Sequence, residues 1–149
     1  MAFVNEDITE EKDIELFNLF NFKNPVSDEK LRPRKWTIDR EREAFVVGLG
    51  GRGFYDSEIP TFYALVWKRN VIILETYSKG QGNYSTGIEM WWKISKIKAP
   101  EILIQDQQTI INLIKGAFDA QGFAYERDRV TRVNFDYIAK PSFVKEVKY

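Results

Sequence analysis

The sequence predicts an α+β fold: a twisted antiparallel sheet of about five strands, with helices packed at the N- and C-terminal parts. Three observations carry this. Alternating or continuously apolar runs gather in the middle of the chain. Segments with helical spacing of apolar residues stand on either side of them. Asn, Pro and Gly punctuate the joins. The 149 residues, 44% hydrophobic and 30% charged, suit a single globular domain, 1–149, that buries a core without disulfide or metal staples.

The first element is a helix over 9–22. Thr9 is placed as its N-cap, with Glu10 and Glu11 near the positive end of the helix dipole. Ile14, Phe17 and Phe20 form its apolar stripe, and Asn24-Pro25 ends it. Glu6, Asp7, Glu10, Glu11, Asp13 and Glu15 face only Lys12, so this helix is acidic. A basic stretch of Lys30, Arg32, Arg34 and Lys35 follows, kept irregular by Pro33.

A β meander is expected over 36–97. Trp36-Thr37-Ile38 alternates, and so do Phe45, Val47 and Leu49, but the two sets are out of phase. A bulge between Asp39 and Ala44, or two separate strands, restores a common face. The intervening Asp39-Arg40-Glu41-Arg42-Glu43 run reads as weak ion pairs on an exposed strand. Phe62 to Trp67 is apolar on both faces and reads as a central strand covered on both sides. Arg69-Asn70 is placed as the tight hairpin to Val71–Ser78, and Ile88–Ile97 is the fourth strand. After Pro100, a helix over 106–121 starts at Asp106, uses Ile110, Ile111, Ile114, Ala117 and Phe118 as its inner face, and ends at Gly122. A closing strand over 130–137 places Val133, Phe135 and Tyr137 on one side. Trp92, Ile114 and Phe135 are expected in the core.

Composition narrows the chemistry. The chain has no His and no Cys, so Ser-His-Asp and Cys-His catalysis, zinc fingers and thiol redox chemistry are excluded. No cofactor and no metal site are expected, and the chain is read as a non-enzyme. Lys+Arg at 22 balance Asp+Glu at 22, which argues against direct nucleic-acid binding. No apolar run reaches the roughly 20 residues that span a bilayer, and residues 1–7 carry acid where a signal peptide carries base, so no membrane partner and a cytoplasmic location are expected.

Gly48-x-Gly50-x-x-Gly53 matches a dinucleotide-binding pattern, but no helix signal follows it. It reads as a turn needing positive φ, with Arg52 at its tip as a contact residue. On the fourth strand Trp91 shares a face with Glu89, Lys93 and Ser95. An indole among charges is either covered by another segment or an anchor for a partner, since Trp is enriched in interface hot spots. Carboxylates are plentiful, yet no pair is singled out by spacing.

Several segments together resemble the small cytoplasmic immunity proteins of bacterial polymorphic toxin systems, including contact-dependent growth inhibition. They are Phe3-Val4-Asn5-Glu6 with Thr9-Glu10-Glu11, Trp36 to Arg42, Phe62 to Trp67, Gly87 to Ile97 with Pro100, and the 110–118 helix. The resemblance implies neutralisation of a cognate toxin C-terminal domain, such domains often being nucleases, by tight binding over the active site or a neighbouring surface. Exposure arguments then nominate Glu10, Glu11, Asp13, Arg52, Tyr77 and Trp91 as partner contacts. The rival readings are a small-molecule or peptide-binding module, using a concave sheet face lined by Tyr77 and Trp91, and a carboxylate-dependent enzyme.

Overall fold

The computed structural model describes residues 2–50, 61–79, 91–122 and 127–138, with backbone alone at 78, 79, 91, 92 and 127–129. The fold is α+β. Among the described residues seven strands form one mixed sheet in chain order: β1 (Val4–Asp7), β2 (Lys35–Asp39), β3 (Ala44–Gly50), β4 (Thr61–Trp67), β5 (Asn70–Lys79), β6 (Trp91–Pro100) and β7 (Phe135–Ile138). Helix α1 (Glu11–Phe20) follows β1, and α2 (Gln107–Gln121) follows β6.

The sheet is larger than the five strands expected, for two reasons. Val4–Asp7 is an edge strand, antiparallel to β2 through Val4↔Ile38 and Asp7↔Lys35. Its acidic sequence conceals a period-2 element in which Phe3 is buried and Val4 exposed. The phase break between Trp36 and Phe45 is resolved as two strands joined by a hairpin, with Asp39 facing Ala44.

The closing strand is also shorter than expected. Residues Arg127–Arg132 form a 3₁₀ segment, and β7 pairs parallel to β6 through Ile97↔Phe135. Parallel pairing follows from the connection, because α2 must carry the chain back along the sheet before the strand can pair.

Both faces of the central strands are buried, as the apolar run of β4 requires. On one face Val46, Leu65, Ile72, Leu74 and Ile97 meet α2 through Ile110, Leu113, Ile114, Ala117 and Phe118. Gly116 lets the helix approach: a Cβ there would sit 3.3 Å from the Phe3 ring. Val133, Phe135 and Tyr137 pack partly buried against this layer, so Phe135 lies at the rim of the core, whereas Ile114 is fully buried. The side chain of Trp92 lies outside the described residues.

The opposite face is aromatic. Phe17, Phe20, Phe22, Trp36 and Phe45 cover Val47, Leu49, Ala64, Val66 and Ile73. The Phe20 and Phe22 rings stack at 5.5 Å, and the Trp36 and Phe45 centroids are 4.8 Å apart.

Turn chemistry fixes the registers. The β4–β5 hairpin turns on Lys68 and Arg69, both at positive φ (48° and 66°), with Trp67 opposite Asn70. That is the conformation whose twist matches paired strands, and it lies one residue earlier than Arg69-Asn70. On β6, Thr76 faces Ile94 and Glu75 faces Lys96, leaving Ser95 as a bulge. The bulge lets Ile94 and Ile97, three apart, both point inward. Gly122 ends α2 at φ 76°, as its place in the sequence predicts. Gly50 ends β3 at φ 89°, where a Cβ would meet Asn24 Nδ2 at 2.5 Å. The rest of the glycine-rich turn, with Arg52, lies outside the described residues.

Candidate interaction surface

Helix α1 begins three residues after β1. The link is tied down by Ile8 N–H donating to Arg34 C=O at 2.7 Å, and the Glu10 C=O accepts from Ile14 N–H at 3.0 Å. Glu10 occupies the N-cap position and Thr9 lies outside it; no side-chain cap is made. The inner stripe is Asp13, Phe17 and Phe20, at i, i+4 and i+7.

Asp13 is therefore not a solvent-facing contact residue, contrary to the exposure expected of it. It is 6% exposed, and its carboxylate accepts from Arg40 at 3.0 and 3.3 Å. The 13–17–20 spacing contained this signal, because any helix that buries Phe17 and Phe20 also turns residue 13 inward.

Arg40 also donates to Glu6 at 2.8 Å, and its guanidinium lies 5.8 Å over the Trp36 ring. Hydrogen bonds from Asp13 and then Glu6 outweigh the cost of partial burial and raise the Arg40 pKa further, so the guanidinium stays charged. One arginine thus holds two of the N-terminal carboxylates against the sheet.

The Arg40 side chain is presented by a built turn rather than by an exposed ladder of ion pairs. Asp39 is 2% exposed and accepts from the N–H groups of Glu41 and Arg42, both at 3.1 Å, and from Arg42 Nε at 2.6 Å. Burial opposes ionisation of Asp39, but the Arg42 side chain, these two amides and the Arg42 charge together win and lower its pKa. Arg42 in turn lies 5.3 Å over the Phe3 ring. Asp39 therefore acts as the keystone of the β2–β3 turn, and the turn aims Arg40 at α1.

What remains outside is acidic. Asp7, Glu10, Glu11 and Glu15 are exposed. Glu10 reaches only Lys12, at 3.5 Å with both side chains largely in water, an arrangement worth little. Asp7, Glu11 and Glu15 form no ion pair with the described residues. Glu11 and Glu15 stand at i, i+4, a like-charge spacing that costs the helix a few tenths of a kcal/mol.

Of the other nominated residues, Tyr77 is half-buried on β5 opposite Lys93. By strand alternation it shares the face of Ile73 and Glu75, beyond the patch that α1 covers. Trp91 heads β6 opposite Lys79, and its side chain lies outside the described residues. The structure thus groups Glu10 and Glu11 with Asp7 and Glu15, and sets Tyr77 on a different part of the sheet. Sequence reasoning missed Glu6, Asp39 and Arg40 as the groups that fix the α1 surface.

Among the described residues no group of three or more Asp, Glu, His or Cys could hold a metal ion, and no helix is long and apolar enough to cross a membrane. Comparison of the chain with protein-family models, with curated proteins and with solved structures finds no match.

Proposed function

We propose that this protein is a cytoplasmic immunity protein, which binds a cognate secreted toxin domain and neutralises it by covering its active site or an adjacent surface. The observation that supports this best is the division of the N-terminal carboxylates. Asp13 and Glu6 are spent on Arg40 to fix α1, while Asp7, Glu10, Glu11 and Glu15 project outward with only Lys12 among them. Glu10, Glu11 and Glu15 crowd like charge along one short helix, and attraction of the first two to the helix N-terminus offsets only part of that repulsion. Facing a basic partner they accelerate encounter and set specificity. The resemblance of the Phe3–Glu6, Trp36–Arg42 and Gly87–Ile97 segments to immunity proteins agrees with that reading, and a basic nuclease domain is the partner such a surface suits.

The reading is tested by co-expression with the C-terminal domain of a secreted effector encoded beside the gene. Rescue of growth together with co-purification of a stoichiometric complex supports it. A toxic domain that is neither bound nor neutralised overturns it.

A further inference from the structure

Two strips of unpaired charge run side by side on the outer surface of the α1 layer. The first is acidic. Asp13, Phe17 and Phe20 turn α1 toward the sheet, and Glu11 and Glu15 stand about half a turn round the helix from them, exposed along its crest. The second is basic. Arg32 and Arg34 are exposed and, with Phe17 and Leu31, wall a cavity of about 240 Å³ on the α1 face. The Arg34 C=O accepts from Ile8 N–H, three residues before Glu11, so the basic strip begins beside the N-terminal end of the helix. None of these four charged side chains forms an ion pair with the described residues. The strips adjoin without neutralising each other.

The surface between them is apolar. Ile14 stands between the acidic crest and Phe17 round the helix. It and Leu31 are half-buried, packed on the aromatic layer and still reaching water. Leu19, one turn after Glu15, is 42% exposed.

Such a surface is its own complement. A two-fold axis along the boundary between two parallel strips carries each strip onto the other, so acid meets base twice and both copies make the same contact. A uniformly charged partner matches only one of the strips, whereas a second copy matches both. The balanced formal charge, 22 cations against 22 anions, adds no net repulsion between copies.

From these features we infer that this face is the contact between two copies of the chain, paired about a two-fold axis. Glu11 and Glu15 of each copy lie on the arginine strip of the other, and a carboxylate enters the cavity beside the guanidinium groups, where charge-assisted bonds form. Ile14 and Leu31 close the centre, the part of an interface that excludes water and concentrates its energy. The pairing is weak and reversible, because its charged contacts sit at the surface and are screened by salt. It covers carboxylates that the toxin-binding reading gives to the toxin, so a bound toxin and a second copy exclude each other. The pairing is independent of that reading, and its test contains no toxin.

The test is sedimentation equilibrium of the full chain alone, at about 0.1 mM protein, a concentration at which a weak contact is populated. The mass should rise from 17.5 kDa towards twice that value at about 0.05 M salt and return to the monomer at about 0.5 M, where screening shortens the reach of charge to a few ångströms. Glu11→Lys with Glu15→Lys makes a copy with two basic strips, and Arg32→Glu with Arg34→Glu makes one with two acidic strips. Either pair of changes should weaken self-association about tenfold or more. All four changes together exchange the strips, leave the formal net charge at zero and should restore the dimer, a recovery that neither misfolding nor net charge produces. A wild-type monomer at low salt, association that grows beyond the dimer, pairing unchanged by either reversal, or a fourfold variant that is folded by circular dichroism yet monomeric would overturn the proposal.

Discussion

The two faces of the sheet are closed by different means, and the difference explains which charges the protein can present. Under α2, a 15-residue helix lays an unbroken row of Ile110, Leu113, Ile114, Ala117 and Phe118 on the strands, and Gln121 in its last turn reaches back to Thr37 of β2. On the other face, α1 has only 10 residues and contributes Phe17 and Phe20, and Phe22, Trp36 and Phe45 complete the layer. A helix that short cannot bury a full stripe without also burying Asp13. The face therefore needs Arg40, and Arg40 needs the Asp39 turn. With α1 fixed by inner carboxylates, the outer ones add to the fold only the modest attraction of Glu10 and Glu11 to the helix N-terminus.

The largest effects separate packing from charge. Phe118→Ala on one face and Phe20→Ala on the other remove fully buried rings, and each should cost about 3–5 kcal/mol in urea denaturation. A cost below about 1 kcal/mol for Phe20→Ala would mean that the aromatic face is not a second core. Next, Arg40→Ala leaves Asp13 buried without its partner. Because Arg40 is half in water, the cost should be about 1–3 kcal/mol, less than for a fully buried pair. Changing Asp13 and Arg40 together to Leu should recover part of that loss, and strict additivity of the two single changes would show that the pair is not coupled.

The keystone turn predicts a pH dependence. The Asp39 carboxyl has a folded pKa below its unfolded value, so the unfolded chain binds its proton first as pH falls. The stability it contributes is complete above the unfolded value of about 4 and is lost as pH drops through the lower folded value. In Asp39→Asn the fall of the urea midpoint below about pH 4 should be shallower than in the wild type. Parallel curves would place the acid sensitivity elsewhere. Smallest of all, Glu10, Glu11 and Glu15 changed to Gln should alter stability by no more than about 0.5 kcal/mol, since no fold contact depends on them.

Legibility in the sequence followed the same division. Helix α2 was readable because its aliphatic stripe is long and ends at a glycine that takes positive φ. The β4 run was readable as a central strand because both its faces are apolar. Strand β1 was hidden, since an edge strand of four residues whose outer side is acidic has almost no periodic signal. The parallel sense of β7 depends on the path of α2 and is not a property of residues 130–137. At the surface, charge alone marks Glu10 and Glu11 for solvent, whereas the burial of Asp13 follows from its position on the helix, one turn before Phe17. The Asp39–Glu43 run by itself suggests no more than local ion pairs; the register of Asp39 with Ala44 makes it a turn, and the Arg40 bonds to Asp13 aim that turn at α1.

The central claim is that the outer carboxylates of α1 serve a partner. It is tested most directly by the association rate of the co-expressed toxin domain with wild type and with a Glu10→Lys, Glu11→Lys, Glu15→Lys variant, measured at low and at high salt. The variant should associate about tenfold or more slowly at low salt. The two proteins should converge as screening shortens the reach of the charges to a few ångströms. A folded variant that associates at the wild-type rate at every ionic strength would contradict the account.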